Sequence, residues 1–434
     1  MGGTRGPGAL MVVGTTSGAG KSTVVSALCR ALARRGVDVA PFKAQNMSTH
    51  LAATPDGGVI GRAQAMQALA AGVEPDRRMG PVLLRPTGER TSQVLVLGEE
   101  VGLDDAIGYG ARAARLRPLA LAALRSLRED HEVVVLEGAG GAAETNLLDR
   151  DLVNLPLAAA AGVPAVLVVD IERGGAFAAA YGTWALLPER LRTCLRGFVV
   201  NSFRGDPSLL APAVADLEER TGVPVLGVLP HLGDHLMLGA EDSLDLAAPQ
   251  RPLGGGSGTD RPVRVAVVRL PRMADPYDLD PLVLEPAVEL RWATRPGDLE
   301  DADLVVLPAS GDVAADGDWL EERGLAAAID AIDGGHGGHG SAQSRTDQEA
   351  DGSGRHVLRL RAPGTLEDDA ARRRLLEQVA EDRDRVFRPA ATGFAQAVDA
   401  HLDHLATWVE EHLDVGGLLE IAARATPVGQ EPGW

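Results

Sequence analysis

Cysteine is nearly absent from this chain, which has two, Cys29 and Cys194, among 434 residues. Two thiols cannot build a disulfide framework or a cysteine-based zinc site. Aromatic residues are also scarce, at 3%. Lys and Arg number 42 against 61 Asp and Glu, a formal net charge of −19. Nucleic-acid binding depends on phosphate neutralisation and base stacking, so no nucleic-acid partner is expected. No apolar run reaches the ~18–20 residues that a membrane span needs, and the opening MGGTRGPGALMVV lacks the long apolar core of a signal peptide. The expectation is a cytoplasmic protein with no membrane partner.

What the chain does have is 45% hydrophobic residues, enough for about two to three domains at this length. Short aliphatic runs alternate with helical stretches through the first half. Strands are expected at Leu10–Val13, Val37–Phe42, Val133–Leu136, Ala165–Val169, Phe198–Val200 and Val225–Val228, with helices at Ser22–Arg35, Ala111–Arg128 and Pro207–Arg220. That rhythm predicts an α/β fold, a doubly wound parallel sheet covered on both faces. It stops at the Pro/Gly/Ser-rich stretch Pro249–Pro262, which reads as a linker. It resumes in VRVAVVRL, AVELRWA and DADLVVLP, a second α/β segment. The expected domains are therefore 1–248 and 263–434. A helix is expected over Trp319–Ile332. The segment 334–354, almost free of apolar residues, is expected to be disordered. The stretch from Phe394 onward has helical spacing.

The most informative stretch is ALMVVGTTSGAGKST. An apolar strand enters a glycine-rich turn and a helix begins at Lys21, an arrangement suited to phosphate. Gly14, Gly18 and Gly20 let backbone N–H groups approach phosphate oxygens. Lys21 would reach the β/γ-phosphates and the Ser22 hydroxyl would bind Mg2+, with Thr16 and Thr23 as further nucleotide contacts. A glycine-rich turn without function is the competing reading, and the strand–GKST–helix context weighs against it. Glu137 ends the strand HEVVVLE, where doubly wound sheets place their ligands. It reads as a second Mg2+ ligand beside the P-loop, although an acidic strand end can be a simple solvated cap. Asn201, in GFVVNSFRGD, could read an adenine edge and select ATP over GTP; a turn-forming Asn is an equal alternative.

Together with VAPFKAQNMS, GRAQAMQALAAGVEP, MGPVLLRPTGERTSQV, EGAGGAAETNLLDRDLVN and GVPVLGVLPHLGDHLMLGAEDSL, these blocks resemble the cobyric acid synthase family, corrinoid amidotransferases with a dethiobiotin-synthetase-like P-loop domain. The resemblance is dense over residues 9–330. It implies that ATP and Mg2+ activate the b, d, e and g side-chain carboxylates of adenosylcobyrinic acid a,c-diamide as acyl phosphates, which ammonia then converts to amides. It also implies a second, class I glutamine-amidotransferase-like domain, truncated here. Lys21 and Lys43 are the expected catalytic cations. Arg62, Arg77, Arg78, Arg85 and Arg90 are the expected grip on the corrinoid carboxylates, since guanidinium forks bind them bidentately; a solvated basic face is as good a reading for any single one.

Three departures stand out. Val59 occupies a position before IGRAQ that is usually acidic, leaving Asp56 as a catalytic stand-in. No cysteine lies between Phe198 and Trp434, so the glutaminase nucleophile is missing. The family's catalytic-histidine block appears as PGTLEDDAARRRLL, without its histidine. Spaced His336, His339 and His356 give only a weak metal signal, and His401, His404 and His412 read as helix-packing or solvated. Ammonia is therefore expected from outside, free or from a separate glutaminase. The sister a,c-diamide synthase, a regulatory P-loop ATPase and a pseudoenzyme stay open as alternatives.

Overall fold

The computed structural model describes residues 7–48, 50–86, 91–105, 109–233, 259–274, 276–332, 346–350, 355–361 and 364–428. The chain forms two compact units, Met1–Leu244 with Ala400–Trp434, and Asp245–Asp399.

In the first unit the strands are β1 (Gly8–Gly14), β2 (Val39–Phe42), β3 (Gln45–Met47), β4 (Leu51–Ala53), β5 (Val59–Gly61), β6 (Val82–Pro86), β7 (Thr91–Val96), β8 (Glu99–Asp105), β9 (Val133–Glu137), β10 (Ala165–Asp170), β11 (Leu195–Phe203) and β12 (Val225–Pro230). The helices are α1 (Lys21–Arg34), α2 (Arg62–Ala71), α3 (Tyr109–Asp130), α4 (Leu155–Ala161), α5 (Ala176–Leu186), α6 (Glu189–Arg192) and α7 (Ala211–Thr221). Six strands form one parallel sheet in the order β12-β11-β10-β1-β9-β2. The strand order reverses about β1, the topological switch at which such sheets bind ligands beyond their carboxyl ends. β1, β2 and β9 are buried along their whole length, as a sheet covered on both faces requires.

Sequence reading did not anticipate the β3-β6-β7-β8 sheet or the β4–β5 hairpin, both between the second and third strands of the main sheet. β3, β4 and β5 are only three residues long, too short for a period-two pattern to register. β7 and β8 are joined by a tight turn in which Leu97 (φ 49°) and Gly98 (φ 79°) both adopt positive φ, the geometry of a two-residue hairpin loop.

The second unit is a sheet of β13 (Val263–Val268), β14 (Val288–Ala293), β15 (Leu304–Leu307), β16 (Thr346–Ala350) and β17 (His356–Leu360) in the order β14-β13-β15-β17-β16. Alternation along β13 splits the core between the two faces. Val263, Val265 and Val267 pack with Leu282, Leu376 and Val379, while Ala266 and Val268 pack with Leu325 and Ile329. The helices are α8 (Asp280–Val283), α9 (Val313–Glu322), α10 (Leu325–Ile332) and α11 (Asp369–Asp382). The single helix expected over Trp319–Ile332 is broken at Gly324, whose φ is 70°. The disorder expected over 334–354 does not extend to Thr346–Ala350, which pair antiparallel with β17. The rest of that segment lies outside the described residues, as does most of the expected linker.

Two further helices, α12 (Phe394–His412) and α13 (Val415–Ala422), follow. The expected domain 263–434 differs from what is found, because the residues from Ala400 onward belong to the first unit. The reason is apolar. Val415, Leu418 and Ala422 of α13 face Leu10 of β1, Val133 and Val135 of β9, and Leu28 and Leu32 of α1. Polar ties reinforce the docking: Arg30 pairs with Asp403 at 2.8 Å, Trp408 Nε1 donates to Pro230 O at 3.0 Å, and buried Arg128 donates to Thr426 O at 2.9 Å.

Candidate active site

The P-loop runs from the end of β1 to the start of α1. Gly18 (φ 70°) and Gly20 (φ 95°) hold left-handed conformations that few other residues tolerate. A Cβ on Gly20 would also collide with Asn201 Nδ2. Lys21 is buried and its Nζ donates to Thr16 O and Gly140 O, each at 3.2 Å. The sequence-predicted Thr16 and Gly18 are exposed on the loop, and Ser22 and Thr23 are half-buried at the helix start.

Glu137 is fully buried at the carboxyl end of β9. Its Oε1 accepts from Ser22 Oγ at 2.8 Å and from Lys43 Nζ at 2.9 Å. Lys43 is also buried, so this is a desolvated ion pair that depends on its extra hydrogen bonds. Gln67 Nε2 donates to Oε2 at 2.5 Å. The expected residues Lys21, Ser22, Lys43 and Glu137 are thus brought together, and Gln67 joins them unforeseen. Gln67 and Gln64 share a face of α2 three residues apart, and Asn46 Nδ2 donates to Gln64 Oε1 at 3.2 Å. Gln67 Oε1 and Gln64 Nε2 are buried without a hydrogen-bond partner, a costly state that native proteins tolerate mainly at functional sites. The one sequence signal was the GRAQAMQ block itself.

The loop after β9 lies against the P-loop: Ala142 N donates to Gly14 O at 2.8 Å and Gly138 N to Val12 O at 2.9 Å. The side chain of Asn154, just before α4, accepts from Ala139 N at 3.1 Å and donates to Ala139 O at 2.8 Å. Asn201 is buried, and its Nδ2 donates to Ala19 O at 3.0 Å. That bond ties β11 to the P-loop, a packing role that the turn-versus-adenine alternatives did not include.

The remaining expected residues divide. Asp56 sits in the β4–β5 turn, where Thr54 Oγ1 donates to it at 2.5 Å and Arg77 Nε lies 2.6 Å away. The Thr54 hydroxyl, then Arg77, hold its carboxyl down at about 2. Asp56 and Arg77 take each other up instead of joining the Glu137 group. Arg78 is engaged by Asp76, Asp130 and Ser126, which makes it a brace between a turn and α3. Arg62 opens α2 and Arg85 lies on β6, both half-buried. Arg90 lies outside the described residues.

Neither cysteine is placed as a nucleophile. Cys29 lies in α1 of the first unit, its thiol pushed far up by burial and secondarily by the Glu137 charge; Cys194, before β11, is pushed up by burial. In the second unit Ser310 Oγ donates to Asp316 Oδ2 at 2.6 Å, with no imidazole in that contact. His356 is buried on β17 against Asp382, at 2.8 Å, and among the described residues no group of three His, Cys, Asp or Glu could hold a metal. His412 Nδ1 lies 2.8 Å from Trp408 O within α12. His336 and His339 lie outside the described residues. Among the described residues no helix is long and apolar enough to cross a membrane.

Two family models match this chain. Residues 10–235 match the CobQ/CobB/MinD/ParA nucleotide binding domain. Residues 264–336 match the CobB/CobQ-like glutamine amidotransferase domain. The cobyric acid synthase of Mycolicibacterium paratuberculosis is 51% identical over 75% of this chain; the match spans 65% of the relative, just under two thirds of its length. Those of Frankia casuarinae and Mycolicibacterium smegmatis are 40% and 41% identical over 97% of this chain and over 98% and 97% of their own lengths. The Frankia alignment runs over 510 residues, more than the 434 of this chain, so that relative carries internal residues that this chain lacks.

Proposed function

Because the chain belongs to the cobyric acid synthase family, an enzyme family, we propose that it is an ATP-dependent amidoligase of cobalamin biosynthesis that converts corrinoid side-chain carboxylates to amides with ammonia supplied from outside the chain. The single observation that carries this reading is the convergence of Lys21, Ser22, Lys43 and Glu137 at the carboxyl end of the sheet.

The donor set fits a nucleoside triphosphate with Mg2+. Ser22 Oγ and Glu137 Oε1, 2.8 Å apart, would hold Mg2+, which commonly takes one or two protein ligands and completes its shell from phosphates and water. When bound, ATP and Mg2+ would supply the phosphoryl group that turns a carboxylate into an acyl phosphate. This chain's own residues do the rest. The N–H groups of the glycine loop and the start of α1 bind the phosphates. Lys21, kept in place by its carbonyl contacts, uses its third N–H donor to neutralise charge on the transferring group, and Lys43 does the same from the Glu137 side. The substrate carboxylate then carries a phosphate leaving group; ammonia nitrogen bonds to its carbon, the C–O bond to phosphate breaks, the surplus proton on nitrogen passes to the departing phosphate, and the amide and hydrogen phosphate form. Glutamine hydrolysis by this fold class needs a thiolate beside an imidazole. Neither raised-pKa thiol suits that role, so glutamine is not expected to replace ammonium.

Mass spectrometry of adenosylcobyrinic acid a,c-diamide incubated with ATP, Mg2+ and either ammonium or glutamine tests the reading. The expected product is the corrinoid with four further amides, formed with ammonium alone and unchanged when Cys29 and Cys194 are both replaced by Ala. Amidation of cobyrinic acid in preference to its a,c-diamide would assign the sister reaction. Glutamate release at an ordinary amidotransferase rate would show that a nucleophile exists after all.

A further inference from the structure

Lys21 Nζ is held by two backbone carbonyls, and one of them, Gly140 O, belongs to the loop after β9 and not to the P-loop itself. Whatever fixes that loop therefore helps to fix the lysine. Gly140 adopts φ 61°, a conformation open to rearrangement without a side chain to anchor it. The adjacent Ala139 is held on both sides by one amide: Asn154 Oδ1 accepts from Ala139 N, and Asn154 Nδ2 donates to Ala139 O. The same Nδ2 donates to Asp151 Oδ2 at 2.9 Å. The other oxygen, Asp151 Oδ1, accepts from Val153 N at 2.7 Å and Asn154 N at 2.9 Å. Asn154 is thus locked before it locks the loop. Gly138 completes the fit, because a Cβ there would collide with Asn154 Oδ1.

We propose that Asn154, fixed by Asp151, is a positioning residue that acts through Ala139 and Gly140 to hold Lys21 in register for the nucleotide phosphates. The chain Asp151–Asn154–Ala139–Gly140–Lys21 uses one side-chain amide as a backbone mimic, which satisfies a loop N–H and C=O that no strand pairs. It explains why an Asn rather than an Asp stands before α4: only an amide can accept from Ala139 N and donate to Ala139 O at once. This inference rests on the nucleotide reading of the site, and the experiment separates the two.

The experiment is a double-mutant cycle on the full chain, read as ATP affinity by calorimetry in the presence of Mg2+, with Lys21→Ala, Asn154→Asp and the pair. Asn154→Asp is isosteric but loses the donor to Ala139 O. It is expected to weaken ATP binding about tenfold, the scale of one lost buried hydrogen bond, in the wild-type background and to have no further effect once Lys21 is Ala. Gly138→Ala approaches the same contact from the other side and should reproduce the loss, which guards against a folding defect peculiar to position 154; melting without nucleotide checks that each variant is folded. Equal losses in both backgrounds would overturn the positioning role alone, leaving Asn154 as a structural cap. Unchanged ATP affinity in Lys21→Ala itself would overturn the nucleotide reading and this proposal with it.

Discussion

The two units share an architecture, a largely parallel sheet with helices on both faces, yet their buried polar groups behave differently. In the second unit three fully or almost fully buried carboxylates are answered for by structure. Glu285 is met by Arg372 and Arg373, Asp303 by Arg383 and Arg385, and Asp316 by Ser310 and the backbone of Arg272. These pairs brace strands and helices. In the first unit, Glu137 gathers an ammonium, a hydroxyl and an amide on one side chain, and two neighbouring glutamine atoms are buried without partners. A sheet of this kind hosts chemistry only where its polar groups converge, and the fold alone does not decide that.

Arg372→Leu should break the contrast hardest on the structural side. It leaves Glu285, which is fully buried, without its main countercharge, and the second unit should lose about 3–5 kcal/mol, the usual cost of orphaning one member of a buried pair. Denaturant melting measures the loss, while ATP affinity should not change; a parallel fall in affinity would show that the structural and chemical halves of the comparison are not separable. Lys21→Ala is the matching change on the chemical side. Corrinoid-dependent ATP turnover should fall about 10²–10³-fold, the scale of removing one charge-stabilising donor, with melting preserved; unaltered turnover would remove Lys21 from the reaction. The smallest effect belongs to Asp56. Its carboxyl is lowered in the folded state, so its contribution is present above the ordinary carboxylate range and is lost as pH falls toward about 2. Between pH 5 and 8, Asp56→Asn should therefore leave the pH profiles of stability and turnover flat; a new pH dependence of turnover in that window would mean that Asp56 serves the chemistry after all.

What was legible in the sequence was local. Strand, glycine turn and GKST helix lie within one short stretch, so Lys21 and Ser22 can be read directly, and Glu137 follows from the rule about strand ends. Gln67 was not legible, because its partner is 70 positions away and a glutamine on a short helix reads as solvated. Asn154 was hidden in the same way: its Asp151 contact is local, but the backbone it grips lies across the loop. Asp56 shows the reverse: proximity in sequence suggested a catalytic carboxylate, and its pairing with Arg77 was not legible from the sequence. The spacing from Phe394 onward predicted helix, which α12 and α13 are, but periodicity marks a face and never its partner.

The docking of α13 on β1 and β9 has a consequence for how this protein comes into being. A strand near the N-terminus and a helix near the C-terminus cover each other, so Asp245–Asp399 is an insertion into the first unit, and that unit cannot close while its last helices are still inside the ribosome. Most multidomain chains fold their first domain during synthesis. Here the apolar contact that Leu10, Val133 and Val135 make with Val415, Leu418 and Ala422 forms only once the residues beyond Asp399 are present, so a truncation before Ala400 should leave an exposed apolar patch on the first unit rather than a well-covered isolated domain.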